Sequence, residues 1–360
     1  MAIKVLVIDD SALMRALLTE IIGGAPDLEV VGAAPDPIAA REMIKSLHPD
    51  VLTLDVEMPK MDGLEFLGRL MKLRPMPVIM ISTLTERGSE VTLRALELGA
   101  VDFLPKPRME NISLLQDYTE EIRDKIRAAC GARLKSTVAA TPRPVVSGAR
   151  QEAPYPPLSA RILSEKLIAI GASTGGTEAI KAVLSTLPAQ VPGIVIVQHM
   201  PELFTASFAK RLDSLSQVRV VEAQGGERIE PGHAYLAPGH SHMLVKQSGN
   251  GYVIELSQSA PVKRHRPAVD VLFGSVAALL RNNAIGVILT GMGKDGAQGL
   301  LEMRLAGAWT IGQNQETCVV YGMPREAALV GAVEEVVALS KVSDSILARL
   351  RALDRQGQRG

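Results

Sequence analysis

Two groups of residues in this 360-residue chain can do chemistry, and they lie in different halves of it. The first group is Asp9, Asp10, Asp55 and Lys106. Carboxylates gathered at one place repel one another, and their pKa values rise unless a cation joins them. Hard oxygen ligands with water positions left open suit Mg²⁺. With the metal and Lys106 neutralising a phosphoryl group, Asp55 can attack it, and Ser82 can hydrogen-bond the resulting acyl phosphate.

The second group is Ser173, His199 and Asp295. Gly171-Ala172-Ser173-Thr174-Gly175 fits G-x-S-x-G, where glycines permit a tight strand-to-helix turn that exposes the serine oxygen. The same segment also suits a helix-capping serine or a phosphate-holding loop. His199 alone reads as a packing or surface residue. Asp295, in Gly291-Met292-Gly293-Lys294-Asp295-Gly296, alone reads as a turn acid, since Asp-Gly favours turns. Together the three supply a nucleophile, a base and an orienting carboxylate. Their order, Ser–His–Asp, differs from the Ser–Asp–His order of α/β-hydrolases, so the arrangement is independent of that fold.

Parallel strands can position both groups. Apolar runs at 3–8, 29–32, 51–54, 78–81 and 101–104 show little alternation, as strands buried on both faces do. Between them lie amphipathic segments. Ser11 can cap the first helix, whose face is Leu13, Leu17 and Ile21. Pro37 suits the first turn of the second helix, and Gly99 can end the helix holding Val91, Ala95 and Leu98. The pattern restarts with strands at 167–170, 194–197 and 286–289. Helices with Ile180, Val183, Leu184 and Leu187, and with Val269, Leu272, Phe273 and Val276, accompany them. Short strands and a turn at Gly249-Asn250-Gly251 occupy the irregular region 218–256. Every group named above follows a strand end, where open α/β sheets bind their ligands.

The expected architecture is therefore α/β throughout, with a five-stranded parallel domain over 1–125 and a doubly wound, mostly parallel α/β domain over 164–350. Residues 126–163 read as a linker, rich in Pro, Ala and Ser from about 135, and 351–360 as a tail. Lys+Arg and Asp+Glu are both 39, which argues against a nucleic-acid binder. Two distant cysteines, Cys130 and Cys318, indicate a reducing compartment. The N-terminus lacks the cleavage region of a signal peptide, and no apolar run reaches the length of a membrane span. A cytoplasmic protein with no membrane insertion is expected.

The acidic set has a specific setting. Asp55 is followed by Met58-Pro59-x-Met61-Asp62-Gly63, and Lys106 by Pro107. This pattern resembles the flavodoxin-like receiver domain of two-component response regulators. The resemblance implies phosphorylation on Asp55, with Mg²⁺ held by Asp10, Asp55 and the Glu57 backbone carbonyl, and by Asp9 through water. It puts Ser82 and Phe103 at switch positions and makes a chemosensory histidine kinase the phosphodonor.

From about 167 to 339 the chain resembles the catalytic domain of the chemotaxis methylesterase family, of CheB type. The carrying segments are Gly171 to Gly176, Val197-Gln-His-Met-Pro201, Arg264-His-Arg-Pro267, Leu289 to Gly296 and Tyr321-Gly-Met-Pro324. The resemblance implies Ser173 as nucleophile, His199 as base then acid, and Asp295 as orienter. Backbone N–H groups of Thr174 and Met292 would form the oxyanion hole. It implies hydrolysis of glutamyl γ-methyl esters on methyl-accepting chemoreceptors, deamidation of receptor glutamines, and no cofactor for the esterase step. By the same resemblance, the unphosphorylated receiver covers the catalytic cleft.

Two competing readings fit less. A nucleotide-binding output would want G-x-G-x-x-G or a P-loop lysine, and neither is present. A DNA-binding output would want a helix-turn-helix or a basic domain. His233, His240 and His242 look like a metal cluster, but no Cys or acid completes a zinc set, which favours a structural role. Arg264, His265 and Arg266 form a basic knot suited to receptor acids or to solvent.

Overall fold

The computed structural model describes residues 2–58, 63–83, 85–107, 112–134 and 157–357. Two compact units divide the chain, Met1–Pro142 and Arg143–Gly360. Pro59, Met61 and Asp62, and residues 135–156 of the expected linker, lie outside the described residues.

The first unit alternates strand and helix: β1 (Ile3–Ile8), α1 (Ala12–Gly23), β2 (Leu28–Ala34), α2 (Pro37–Leu47), β3 (Val51–Asp55), α3 (Gly63–Leu73), β4 (Val78–Ser82), α4 (Glu86–Glu97), β5 (Asp102–Pro105) and α5 (Ile112–Cys130). The sheet order is β2-β1-β3-β4-β5, with every pairing parallel. β3 and β4 are buried at every position, which explains their unalternating sequences. Asp36 caps α2 just before Pro37, its carboxylate accepting from the N–H groups of Ile38 and Ala39. Gly99 follows α4 at φ 109°, a left-handed stop that favours glycine.

The face expected for α1 is rotated. Leu13 is 65% exposed, and the buried stripe is Leu18, Ile21 and Ile22. The run Leu17-Leu18-Thr19-Glu20-Ile21-Ile22 offers two overlapping stripes. Packing against β1, β2 and α5 selects the second.

The second unit contains α6 (Ala160–Glu165), β6 (Leu167–Ala172), α7 (Gly176–Leu184), β7 (Gly193–Gln198), α8 (Glu202–Leu215), β8 (Arg219–Glu222), β9 (His233–Leu236), β10 (His242–Ser248), β11 (Gly251–Ser257), α9 (Val269–Leu280), β12 (Ala284–Ile288), α10 (Ala297–Leu305), β13 (Trp309–Gln313), α11 (Met323–Leu329), β14 (Glu335–Val337) and α12 (Val342–Gly357). Seven strands pair in the order β14-β13-β12-β6-β7-β9-β8, all parallel. The hairpin β10–β11 stands apart and turns at Gly249-Asn250, between the paired residues Ser248 and Gly251. It packs on α9, where Val269, Leu272, Phe273 and Val276 are fully buried.

Residues 351–357, expected as tail, continue α12. Leu347 and Leu350 anchor that helix in the core, and the Asp354 carboxylate accepts from the N–H and hydroxyl of Ser159. At the other end, α5 runs to Cys130, beyond residue 125.

Candidate functional site

β6 and β7 are neighbours whose last paired residues are Ala172 and Gln198. Ser173 and His199 are the next residue on each strand, so the sheet itself sets them side by side. The His199 N–H donates to the Ala172 carbonyl (3.1 Å). The Gln198 amide donates to the Ser173 carbonyl (2.9 Å) and the His199 carbonyl (3.1 Å), clamping the two strand ends. Gly176 makes room for this amide, because a Cβ there would stand 2.1 Å from Gln198 Oε1. Sequence reasoning does not single out Gln198; its signal is a polar residue closing an otherwise apolar buried strand.

The third segment follows β12, on the other side of β6. Thr290 ties it to the serine turn. The Ser173 N–H donates to the Thr290 carbonyl (3.0 Å), and the Thr290 hydroxyl donates to the Thr174 carbonyl (3.0 Å). Gly291 packs directly on Ser173, and Met292 comes next. Gly175 at φ 75° and Gly296 at φ 87° bracket these turns with conformations that L side chains rarely adopt.

Asp295 is buried and accepts four hydrogen bonds. His199 Nε2 lies 2.8 Å from Oδ2, the Val269 N–H donates to Oδ2 (2.6 Å), and the N–H groups of Asp270 and Gly296 donate to Oδ1 (3.1 and 3.0 Å). Val269 and Asp270 open α9, so the positive end of that helix also faces the carboxylate. Burial raises the Asp295 pKa, but His199 and the backbone donors outweigh it and hold the carboxyl at about 2. Neighbouring Asp270 moves the other way. Its burial and the Asp295 charge raise it, despite Lys263 and the Gly299 N–H. One donor cluster serves Asp295 first, and Asp270 carries the resulting repulsion.

With Nε2 donating to an ionised carboxylate, Nδ1 of His199 holds the free lone pair. Nδ1 is buried and has no hydrogen-bond partner. Ser173 is half-buried at the neighbouring strand end. An unpartnered imidazole nitrogen is the kind of acceptor that can take a serine proton once a substrate brings the two together. The arrangement can therefore carry out nucleophilic acyl transfer.

The histidines read as a cluster do not converge. His242 accepts from the Ala268 N–H through Nδ1 and donates to the Ala260 carbonyl through Nε2, bracing the approach to α9. His240 bonds Ser241 and His233 the Pro231 carbonyl. In the basic knot, His265 lies against His199 with ring centroids 3.7 Å apart, a contact that sequence reading does not reach.

In the first unit, β1 ends just before Asp9 and Asp10, β3 ends on Asp55, and Lys106 follows β5. Asp9 and Asp55 are fully buried, and Asp10 is exposed. One oxygen from each of the three lies within 4.8 Å of the others. Lys106 Nζ is 2.8 Å from Asp55 Oδ2 and 3.3 Å from Asp9 Oδ2. Burial and the Asp9 charge raise Asp55 to about 6, against the pull of Lys106. Burial lowers Lys106, but the two carboxylates outweigh it and leave its pKa above the ordinary value. One ammonium shared by two acids stays charged and still fails to satisfy both. Asp9 Oδ2 has only that 3.3 Å ion-pair contact and no well-formed hydrogen bond. Three acids sharing one cation, with one buried oxygen met only this weakly, fit a divalent metal. Nearby, the Glu57 N–H donates to Asp55 Oδ1 (3.2 Å), and the Lys106 N–H donates to the Ser82 carbonyl (2.7 Å). Ser82 and Phe103 are buried on β4 and β5.

Known proteins carry the same two parts. The family model for the CheB methylesterase matches residues 168–346, and that for the response regulator receiver domain matches residues 5–116. A protein-glutamate methylesterase/protein-glutamine glutaminase of Nitrosomonas europaea is 62% identical over 99% of both chains. One of Methylobacillus flagellatus is 60% identical over 98% of both. The crystal structure of the Thermotoga maritima CheB methylesterase catalytic domain matches 51% of this chain and 98% of its own, at 39% identity and a TM-score of 0.51. Among the described residues, no helix is long and apolar enough to cross a membrane. The chain belongs to the family of CheB-type protein-glutamate methylesterases/protein-glutamine glutaminases that carry a receiver domain.

Proposed function

We propose that this chain hydrolyses glutamyl γ-methyl esters on methyl-accepting chemoreceptors, deamidates receptor glutamines at the same site, and is activated by phosphorylation of Asp55. The observation that carries the hydrolase reading is the His199–Asp295 pair, with Nδ1 left unpartnered on the strand end next to that of Ser173.

The Ser173 hydroxyl attacks the ester carbonyl carbon while His199 Nδ1 takes its proton. Asp295 keeps the ring in the tautomer that accepts at Nδ1 and stabilises the imidazolium that forms. The N–H groups of Thr174 and Met292 receive the developing oxyanion. His199 returns its proton to the departing oxygen, and methanol leaves. Water, deprotonated by His199, then releases the glutamate and frees Ser173. An amide substrate follows the same course with ammonia as leaving group.

In the receiver, Asp9, Asp10, Asp55 and the Glu57 carbonyl would hold Mg²⁺, which neutralises phosphoryl oxygens when bound. Asp55 attacks the phosphorus of a phosphohistidine on a chemosensory histidine kinase, the P–N bond breaks as the imidazole leaves, and Lys106 pairs with the transferred group. Ser82 and Phe103 respond to the new charge and shift the population toward an active state.

The test is methanol release from a methylated receptor fragment by wild type and Ser173→Ala, with and without a small phosphodonor and Mg²⁺. Release should vanish in Ser173→Ala and rise with the donor. Release that persists in Ser173→Ala would remove the serine assignment.

A further inference from the structure

We infer that His265 is a positioning residue for the hydrolase reaction, acting through His199; the inference rests on the esterase reading above. The two imidazoles are stacked, with centroids 3.7 Å apart and planes inclined by 13°. Asp295 fixes His199 at one atom only, Nε2. A single hydrogen bond leaves a ring free to swing about that bond, and the flat face of His265 removes this freedom. The same stack keeps the ring in place when His199 becomes an imidazolium in the transition state.

The backbone that presents His265 is built for the purpose. Val262 and His265 exchange both backbone hydrogen bonds (3.0 and 2.9 Å) around a two-residue turn. The turn residues, Lys263 and Arg264, both have positive φ (51° and 69°), an uncommon conformation for side chains of their kind. Such conformations persist only where their surroundings over-determine them. Here Lys263 is tied to the Asp270 carboxylate and the Lys294 carbonyl, and Arg266 donates to the carbonyls of Gln258 and Ser259. Asp270 in turn accepts from the Gly299 N–H (2.7 Å) and sits beside Asp295 at the start of α9. The mount of His265 and the mount of Asp295 are thus one piece of structure, which fixes the imidazole stack relative to the carboxylate.

The experiment compares wild type, His265→Ala, His265→Phe and Ser173→Ala in the full-length, phosphodonor-treated protein. It reads kcat and KM for methanol release, and the downfield proton resonance of the His199–Asp295 hydrogen bond. His265→Ala should lower kcat roughly ten- to thirty-fold with little change in KM, and should broaden or shift the resonance. His265→Phe, which keeps a flat face but cannot titrate, should recover kcat to within about three-fold and restore the resonance. A wild-type kcat and resonance in His265→Ala would overturn the inference. So would loss through KM alone in both variants, which would make His265 a substrate contact. Turnover that survives in Ser173→Ala would instead remove the serine assignment, and no methanol release by the wild type would sink the esterase reading, while the resonance would still report whether the stack orders His199.

Discussion

Gly291 lies so close to Ser173 that a Cβ on the glycine would stand 2.8 Å from the serine Cβ. It would also meet the Ser173 nitrogen at 3.1 Å and Met323 Sδ at 2.3 Å. The methionine can move, whereas the serine turn cannot, because Thr290 and Gln198 hold it. Gly291→Ala should therefore cost roughly 1–3 kcal/mol of stability and displace the nucleophile, lowering kcat by about 10²-fold or more. Steady-state methanol release with thermal unfolding alongside checks both parts.

Asp295→Asn replaces a pure acceptor with a group that also donates. Its amide can face His199 Nε2 and put the ring proton on Nδ1, where the base is needed. A drop in kcat of about 10³–10⁴-fold is expected, with KM nearly constant. A change in KM instead would mean that Asp295 orders the substrate.

The same carboxylate makes the second unit acid-sensitive. Its folded pKa of about 2 lies below the ordinary value of 3.8, so its contribution is fully present above pH 4 and is lost as pH falls toward 2. Trp309 is the chain's single tryptophan and sits on β13, so its fluorescence follows this unit. In urea melts, the stability gap between wild type and Asp295→Asn should shrink by about 2 kcal/mol between pH 7 and pH 2.

Asp55 has the opposite sign. Its folded pKa of about 6 lies above 3.8, so the folded state binds more protons there and stability falls as pH rises from about 4 to 6. In chelator at pH 7.5, Asp55→Asn should stabilise the first unit by about 1–3 kcal/mol, and the gain should vanish below pH 4. Calorimetry resolves this as the transition that Trp309 does not report. Millimolar Mg²⁺ should raise the same transition in wild type and much less in Asp10→Ala. An unchanged midpoint in wild type would remove the metal assignment.

A fragment of residues 160–360 should release methanol faster than the unphosphorylated full chain and should ignore the phosphodonor. Equal or lower activity would dispose of inhibition by the receiver.

Both groups of site residues are legible in the sequence because parallel strands deliver their ends to one edge. An acid or lysine just past an apolar run is then already located. The His199–Asp295 pairing is legible only as a set of types; which nitrogen bonds the carboxylate depends on α9, whose first N–H groups are invisible as ligands in the sequence. His265 reads as part of a charge cluster because stacking carries no periodic signal and depends on the turn at Lys263 and Arg264. The α1 face differs from expectation because a crowded apolar run satisfies two helical registers, and only tertiary packing chooses between them. β14 is three residues long and largely half-buried, too short and too mixed for a strand pattern to emerge.

The strand order has a consequence for biosynthesis. β6 lies between β7 and β12, and β12 begins at Ala284, more than a hundred residues after β6 ends. Its central pairing is long-range, and such contacts form slowly. A ribosome must therefore deliver most of the second half before β6 can be enclosed and Asp295 can reach His199. All five strands and five helices of the first half have emerged by then and can fold as a unit. On this order of events the growing chain can fold its receiver half before its hydrolytic half is complete.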